Sequence, residues 1–295
     1  MTRDQRATID AQLRAAAFDV GSSPEELRIA FAAMMAGPAP AGVTLGSTTL
    51  GGRPALEVVR DDGSASGTIL YFHGGGWVFG SPTTAQNLTA ALVRRTGARA
   101  VSLDYRLAPE HPFPAAIDDA VTAYRDLLDQ GIPAENIVLA GESAGGGLSI
   151  ITLLAARDAG LPLPAGAVAF SPGLDVTRSG ESMTTKEGLD PQFTRESLQR
   201  LSAHYLAGQD PHQPLVSPAV YADLTGLPPL LLQVGSNEVL LDDSTRLATR
   251  AAAAGVDVIL DVTGDVPHVF QAFAGVLDEA DAALDRAGRF ILDRL

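Results

Sequence analysis

The chain has no cysteine among its 295 residues, which excludes disulfide frameworks, thiolate zinc sites and cysteine nucleophiles together. Basic residues are scarce. Lys and Arg number 21 against 35 Asp and Glu, a formal net charge of −14. So acidic a chain repels phosphate backbones and anionic bilayers, so neither nucleic acid nor a membrane surface is an expected partner. The same charge also serves plain solubility. Long apolar runs are missing too. No stretch approaches the roughly 18 apolar residues of a membrane span. The opening MTRDQRATIDAQLRAAAFD is a polar amphipathic pattern without the apolar run of a signal peptide. A cytoplasmic location is the expectation.

What is present belongs to a globular domain: 46% hydrophobic residues and 19% charged. The length suits one large α/β domain or two small ones. Two helices are predicted at about 2–18 and 24–36. The second opens with Ser23-Pro24-Glu25-Glu26, a cap, a first-position proline and two acids. Its Leu27, Phe31, Met34 and Met35 are expected on one face. GPAPAG at 37–42 then breaks the helix. From residue 43 the pattern changes to strands, at 43–50, 54–60 and 68–72, after which β and α patterns alternate. Strands are expected at 98–103, 137–140, 165–170, 230–234 and 256–262, and helices at about 114–129, from 144, 241–254 and 269–293. Short apolar strands between amphipathic helices indicate a mostly parallel sheet covered on both faces. The segment 176–225 departs from this rhythm, with a helix near 194–207 and no strand. It reads as a lid, inserted between the fifth and sixth parallel strands and packing with the N-terminal helices. The division is therefore 1–42 as N-terminal cap helices and 43–295 as the catalytic domain carrying the cap insertion.

Two glycine-rich motifs carry chemistry. Gly141-Glu142-Ser143-Ala144-Gly145 follows one predicted strand and opens a helix, the strand–turn–helix context of a nucleophile elbow. Shuffling this composition would produce such a G-x-S-x-G roughly 0.17 times, so the context matters more than the match. His73-Gly74-Gly75-Gly76 also follows a strand and is rarer, at about 0.005 chance occurrences. Its glycines let backbone N–H groups approach a developing oxyanion, and Ala144 would add another. The alternative for Ser143 is a helix cap in a glycine-rich start, and for His73 an incidental loop histidine.

Elimination finds a base. Of five histidines, His73 and His111 precede the serine, whereas the fold's order is nucleophile, acid, histidine. His204 lies in the predicted lid helix and His212 in a turn. His268 follows the last strand, at the sheet edge where ligands meet open α/β sheets. Three acids compete to orient it. Asp242 and Asp243 fall in the first turn of a helix, where the helix dipole accounts for them. Glu238 sits in the loop after the strand at 230–234, facing where His268 arrives.

The chain resembles the hormone-sensitive-lipase-like family of bacterial esterases over about residues 25–295, through YFHGGGWVFGS, LDYRLAPEHPFPAAIDD, IVLAGESAGGGL, FSPGLDVTRSGES, NEVLLDD and PHVFQAF. It is most similar to the branch with bacterial monoterpene ε-lactone hydrolases and acetyl esterases. The resemblance implies an α/β-hydrolase fold with a helical cap, small apolar short-chain esters or lactones as substrates, and no cofactor or metal. It implies an oxyanion hole of Gly75, Gly76 and Ala144. It also favours Glu238, the first member of an acid-x-Leu-x-Asp run. Three positions depart from the family pattern. Glu142 replaces a frequent Asp, which reads as a solvent-side or outer difference without effect on the chemistry. Gly173 replaces a common tryptophan and Thr263 a frequent aromatic, both removing bulk near the expected pocket. Two other readings share this scaffold: a non-catalytic ligand-binding protein, as plant gibberellin receptors are within the family, and an acyltransferase. Finally, the strand at 256–262, with Val256, Val258 and Leu260 alternating, is expected at the sheet edge, where a homodimer could pair.

Overall fold

A computed structural model describes residues 2–16, 22–63 and 65–295. Residues 17 and 18 of the first expected helix lie outside them. The chain starts with helices α1 (Thr2–Ala15) and α2 (Pro24–Met34), then strands β1 (Val43–Leu50), β2 (Arg53–Arg60) and β3 (Thr68–Phe72). Helix α3 (Gln86–Thr96), β4 (Arg99–Leu103), α4 (Ala115–Asp129), β5 (Ile137–Glu142), α5 (Ala144–Asp158) and β6 (Gly166–Phe170) follow. Three helices, α6 (Ser182–Thr185), α7 (Arg195–Leu206) and α8 (Pro218–Tyr221), precede β7 (Leu230–Gly235), α9 (Leu241–Ala253), β8 (Val258–Thr263) and α10 (Asp278–Leu292).

The eight strands form one sheet in the order β1-β2-β4-β3-β5-β6-β7-β8. The β1–β2 and β2–β4 pairs are antiparallel and all the others parallel. This is the mostly parallel sheet expected from the alternation, in the α/β-hydrolase arrangement that the resemblance implies. Strand period decides the two layers. Leu70 and Phe72 of β3 join a core with Ile117 and Tyr124 of α4 and Leu148 of α5. Ile69 and Tyr71 of the same strand face Leu88 and Leu92 of α3 and Leu284 and Ile291 of α10. Strands clad on both faces carry no polar face, which is why β3, β5, β6 and β7 read as continuous apolar runs.

The structure corrects four expectations. Helix α3 has no counterpart among the predicted elements; it is buried nearly all round and its N-cap, Ala85, has no capping side chain. The helix expected over 269–293 is divided into a single turn at Phe270–Phe273 and α10, because Val269 and Gly275 both have positive φ, 50° and 79°. The parallel run is six strands, and the 176–225 segment falls between its fourth and fifth, β6 and β7. Met34 is 43% exposed, so the apolar face of α2 is narrower than expected: Leu27 is buried and Phe31 packs on Phe79 with centroids 4.9 Å apart.

Among the described residues strand β8 is an edge, paired with β7 alone. Its exposed apolar residues are Ile259 at 47%, Leu260 at 37% and Val262 at 44%, whereas Val256 is buried ahead of the strand. Among the described residues no helix is long and apolar enough to cross a membrane.

Candidate active site

The sheet's carboxyl edge gathers the residues singled out by sequence. Ser143 occupies the turn between β5 and α5 with φ 54° and ψ −119°, a conformation rarely held by a non-glycine residue and typical of sites kept under strain. The flanking glycines make this turn possible: a Cβ on Gly145 would lie 2.0 Å from the Phe72 carbonyl oxygen, and one on Gly141 2.4 Å from that of Gly145. The Ser143 N–H donates to the Phe170 carbonyl at 2.8 Å.

His268, buried in the loop after β8, is 2.9 Å from Ser143 Oγ through Nε2. Its Nδ1 lies 2.8 Å from Glu238 Oε2. The second oxygen of Glu238, Oε1, accepts from the Gly235 N–H at 2.5 Å and from Ser171 Oγ at 2.6 Å. Burial pushes the Glu238 carboxyl above its ordinary range, opposed by the His268 charge and these donors. Phe193, from the 176–225 segment, meets the His268 ring edge-on at 5.0 Å and 88°.

The competing acids lie elsewhere. Asp242 accepts from the Ser182 N–H at 2.9 Å, and buried Asp243 from the N–H groups of Leu174 and Asp175 at 2.7 and 2.9 Å. Both therefore pin loop segments to the start of α9, a use beyond the helix dipole. The other histidines are also placed: His73 is buried, stacked on Tyr105 at 4.2 Å and held by burial near a pKa of about 4. His111 is exposed in the loop after β4, His212 is exposed beside Asp210, and His204 lies on α7.

The His73–Gly76 loop packs on the turn that carries Ser143: a Cβ on Gly145 would lie 2.5 Å from the His73 carbonyl oxygen. Gly75 has φ 119°, and a Cβ there would meet the Phe79 carbonyl oxygen at 2.0 Å. No described residue accepts a hydrogen bond from the N–H of Gly75 or Gly76. Ala144 is the first residue of α5, where backbone N–H groups have no intrahelical partner.

Of the two places expected for Glu142, solvent-side or outer, the side chain takes the outer one, touching neither Ser143 Oγ nor His268 through a hydrogen bond. Its Oε1 accepts from the Gly74 N–H at 2.6 Å and its Oε2 from the Tyr71 hydroxyl at 2.5 Å. Burial raises its carboxyl to about 7 against those two bonds. The motif placed Glu142 beside the serine, but nothing in one sequence signals which way its side chain turns.

The surroundings are apolar. Trp77 stacks on Tyr205 of α7 at 4.4 Å, and Leu201 of the same helix lies 2.8 Å from where a Gly76 Cβ would stand. The Trp77 ring also lies 3.7 Å from the position of a Gly173 Cβ. The space that Gly173 leaves is therefore bordered by Trp77 and is not simply open. Thr263 ends β8, its carbonyl accepting the Ser236 N–H at 2.9 Å. Helix α2 docks on the loops after β3 and β4 through Arg28, which donates to the carbonyls of Val78 at 3.0 Å and Ala108 at 2.9 Å and pairs with Glu110.

A family model described as alpha/beta hydrolase fold matches residues 69–272. An acetyl-hydrolase of Streptomyces hygroscopicus is 46% identical over 250 residues, 85% of this chain and 83% of that protein. An esterase of Acinetobacter venetianus is 38% identical over 79% of this chain and 77% of its own length. The crystal structure of an esterase from the bacterial hormone-sensitive lipase family superposes with a TM-score of 0.95 at 41% identity, covering 99% of this chain and 98% of that one.

Proposed function

From the chain's membership of the bacterial hormone-sensitive-lipase family of α/β-hydrolases, which makes it a carboxylic ester hydrolase, we propose that it cleaves short-chain acyl esters or lactones through Ser143, His268 and Glu238. The observation that carries this reading is the hydrogen-bonded line from Ser143 Oγ through His268 to Glu238, 2.9 and 2.8 Å long. His268 Nε2 takes the hydroxyl proton as Oγ attacks the carbonyl carbon. The oxyanion is held by the N–H groups of Gly75, Gly76 and Ala144. Imidazolium, stabilised by Glu238, then protonates the leaving alkoxide as the tetrahedral centre collapses to an acyl-serine. Water, deprotonated by His268, attacks that ester, and collapse releases the acid and restores Ser143.

Residues 1–42 and 176–225 act as the cap on this site. The position of Phe193 against His268, of Tyr205 on Trp77, and of Arg28 on the Val78 carbonyl supports that role. A small apolar substrate follows, since an enclosed apolar site favours ligands it can desolvate completely. The exposed edge of β8 supports a homodimer paired through that strand. A panel of p-nitrophenyl esters from acetate to palmitate, with lactones alongside, tests the substrate class. Turnover should be greatest on the shortest esters or on compact lactones; a steady rise towards palmitate would refute it.

A further inference from the structure

We propose that Ser171 is a positioning residue of the hydrolytic machinery, its hydroxyl locking Glu238 and the His268 loop into one geometry; the inference rests on the triad reading above. Ser171 follows β6 and is fully buried. Its Oγ donates to Glu238 Oε1 at 2.6 Å and accepts the N–H of Val269, the residue after His268, at 3.0 Å. The direction of the first bond is dictated by chemistry. A backbone N–H can only donate and an ionised carboxylate can only accept, so the Ser171 hydroxyl must take one and give the other.

The consequence for Glu238 is rotational. A carboxylate free to turn about its terminal torsion could present either oxygen to the imidazole. Ser171 and the Gly235 N–H both hold Oε1, which leaves Oε2 for His268. The consequence for His268 is backbone. Val269 has φ 50°, a region that a β-branched residue seldom enters without being held there. The N–H at this strained position is the one that Ser171 accepts.

Ser171 is itself strained, with φ 47°, and its own N–H donates to the Gln233 carbonyl at 2.6 Å. The preceding carbonyl, that of Phe170, accepts the Ser143 N–H. Two consecutive residues at the end of β6 therefore reference the nucleophile, the acid and the histidine loop to one point. A serine buried only to fill space would need neither bond nor the strained φ.

Ser171→Ala and Ser171→Gly test the idea together, because Gly relieves the positive φ while removing the same hydroxyl. Hydrogen bonds to charged groups are worth enough that both variants should lower kcat about tenfold or more, with KM within about twofold. Loss of a donor also destabilises the charged carboxylate, so the acid limb of the kcat–pH profile should move to higher pH. In a Glu238→Gln background Ser171→Ala should cost almost nothing further, since the group it acts through is gone. A kcat within threefold of wild type in both variants would overturn the proposal. So would a lowered kcat with an unmoved acid limb and full multiplicativity with Glu238→Gln. Near-wild-type activity of Glu238→Gln alone would instead remove the triad reading itself.

Discussion

Glu142 and Gly74 are joined by a 2.6 Å hydrogen bond from the Gly74 N–H to the Glu142 carboxylate. That contact ties the strand end next to Ser143 to the loop bearing Gly75 and Gly76, and in the proposed mechanism it would set how far the nucleophile stands from the oxyanion donors. With Tyr71 donating to the other oxygen, the carboxylate accepts on both sides. An amide can accept on only one. Glu142→Gln should therefore lower kcat about tenfold, the worth of one hydrogen bond to a charged group, with KM little changed. Steady-state kinetics on p-nitrophenyl acetate measure this, and an unchanged kcat would show that the loop needs no such tie.

The same residue predicts a pH trend in stability. Burial raises the Glu142 carboxyl to about 7 in the folded protein, above the ordinary glutamate value of about 4.3 in the unfolded chain. The folded state then holds the proton more tightly than the unfolded state, so this contribution is full below pH 4 to 5 and is lost as pH rises towards 7. The amide of the Glu142→Gln variant does not titrate. The melting temperature of wild type minus that of Glu142→Gln should accordingly fall between pH 4.5 and 7. A difference that stays constant or grows would contradict the raised value.

Ser143→Ala should abolish ester hydrolysis while leaving circular dichroism and melting temperature nearly unchanged. Serine and alanine carry the same strain at φ 54°, so only the nucleophile is removed. Residual rates within about tenfold of wild type would exclude Ser143, because losing a triad nucleophile costs several orders of magnitude.

Glu238→Gln keeps shape but cannot stabilise imidazolium, and should lower kcat by roughly 10²–10⁴-fold, as acid-to-amide changes do in other triads. Asp242→Asn should cost much less, since Asp242 bonds the Ser182 N–H and not His268. Parallel kcat measurements would reveal a reversed ranking, which would move the acid to Asp242.

Pairing through β8 predicts a mass near twice 30.6 kDa by light scattering at micromolar concentration. Leu260→Lys should shift it towards the monomer, because inward or edge charge blocks strand pairing. A monomeric wild type would retire the idea.

Strand and helix periodicity in the sequence determined the parallel sheet, because burial on both faces forces continuous apolar strands, and the two glycine motifs marked the turns at their ends. It singled out His268 as well, since His73 and His111 precede Ser143 and His204 and His212 fall in the segment between β6 and β7. Helix α3, buried nearly all round, was not legible as a separate element, and where a strained residue such as Val269 interrupts a helical pattern the sequence carried no matching signal. Side-chain direction was the larger gap. Whether Glu142 turns to solvent or to Gly74, whether Trp77 borders the space left by Gly173, and which hydroxyl holds Glu238 depend on contacts between residues up to 98 positions apart, as Ser171 and Val269 are. Such contacts follow from packing three-dimensional neighbours to satisfy every buried donor and acceptor, and only the tertiary structure decided them.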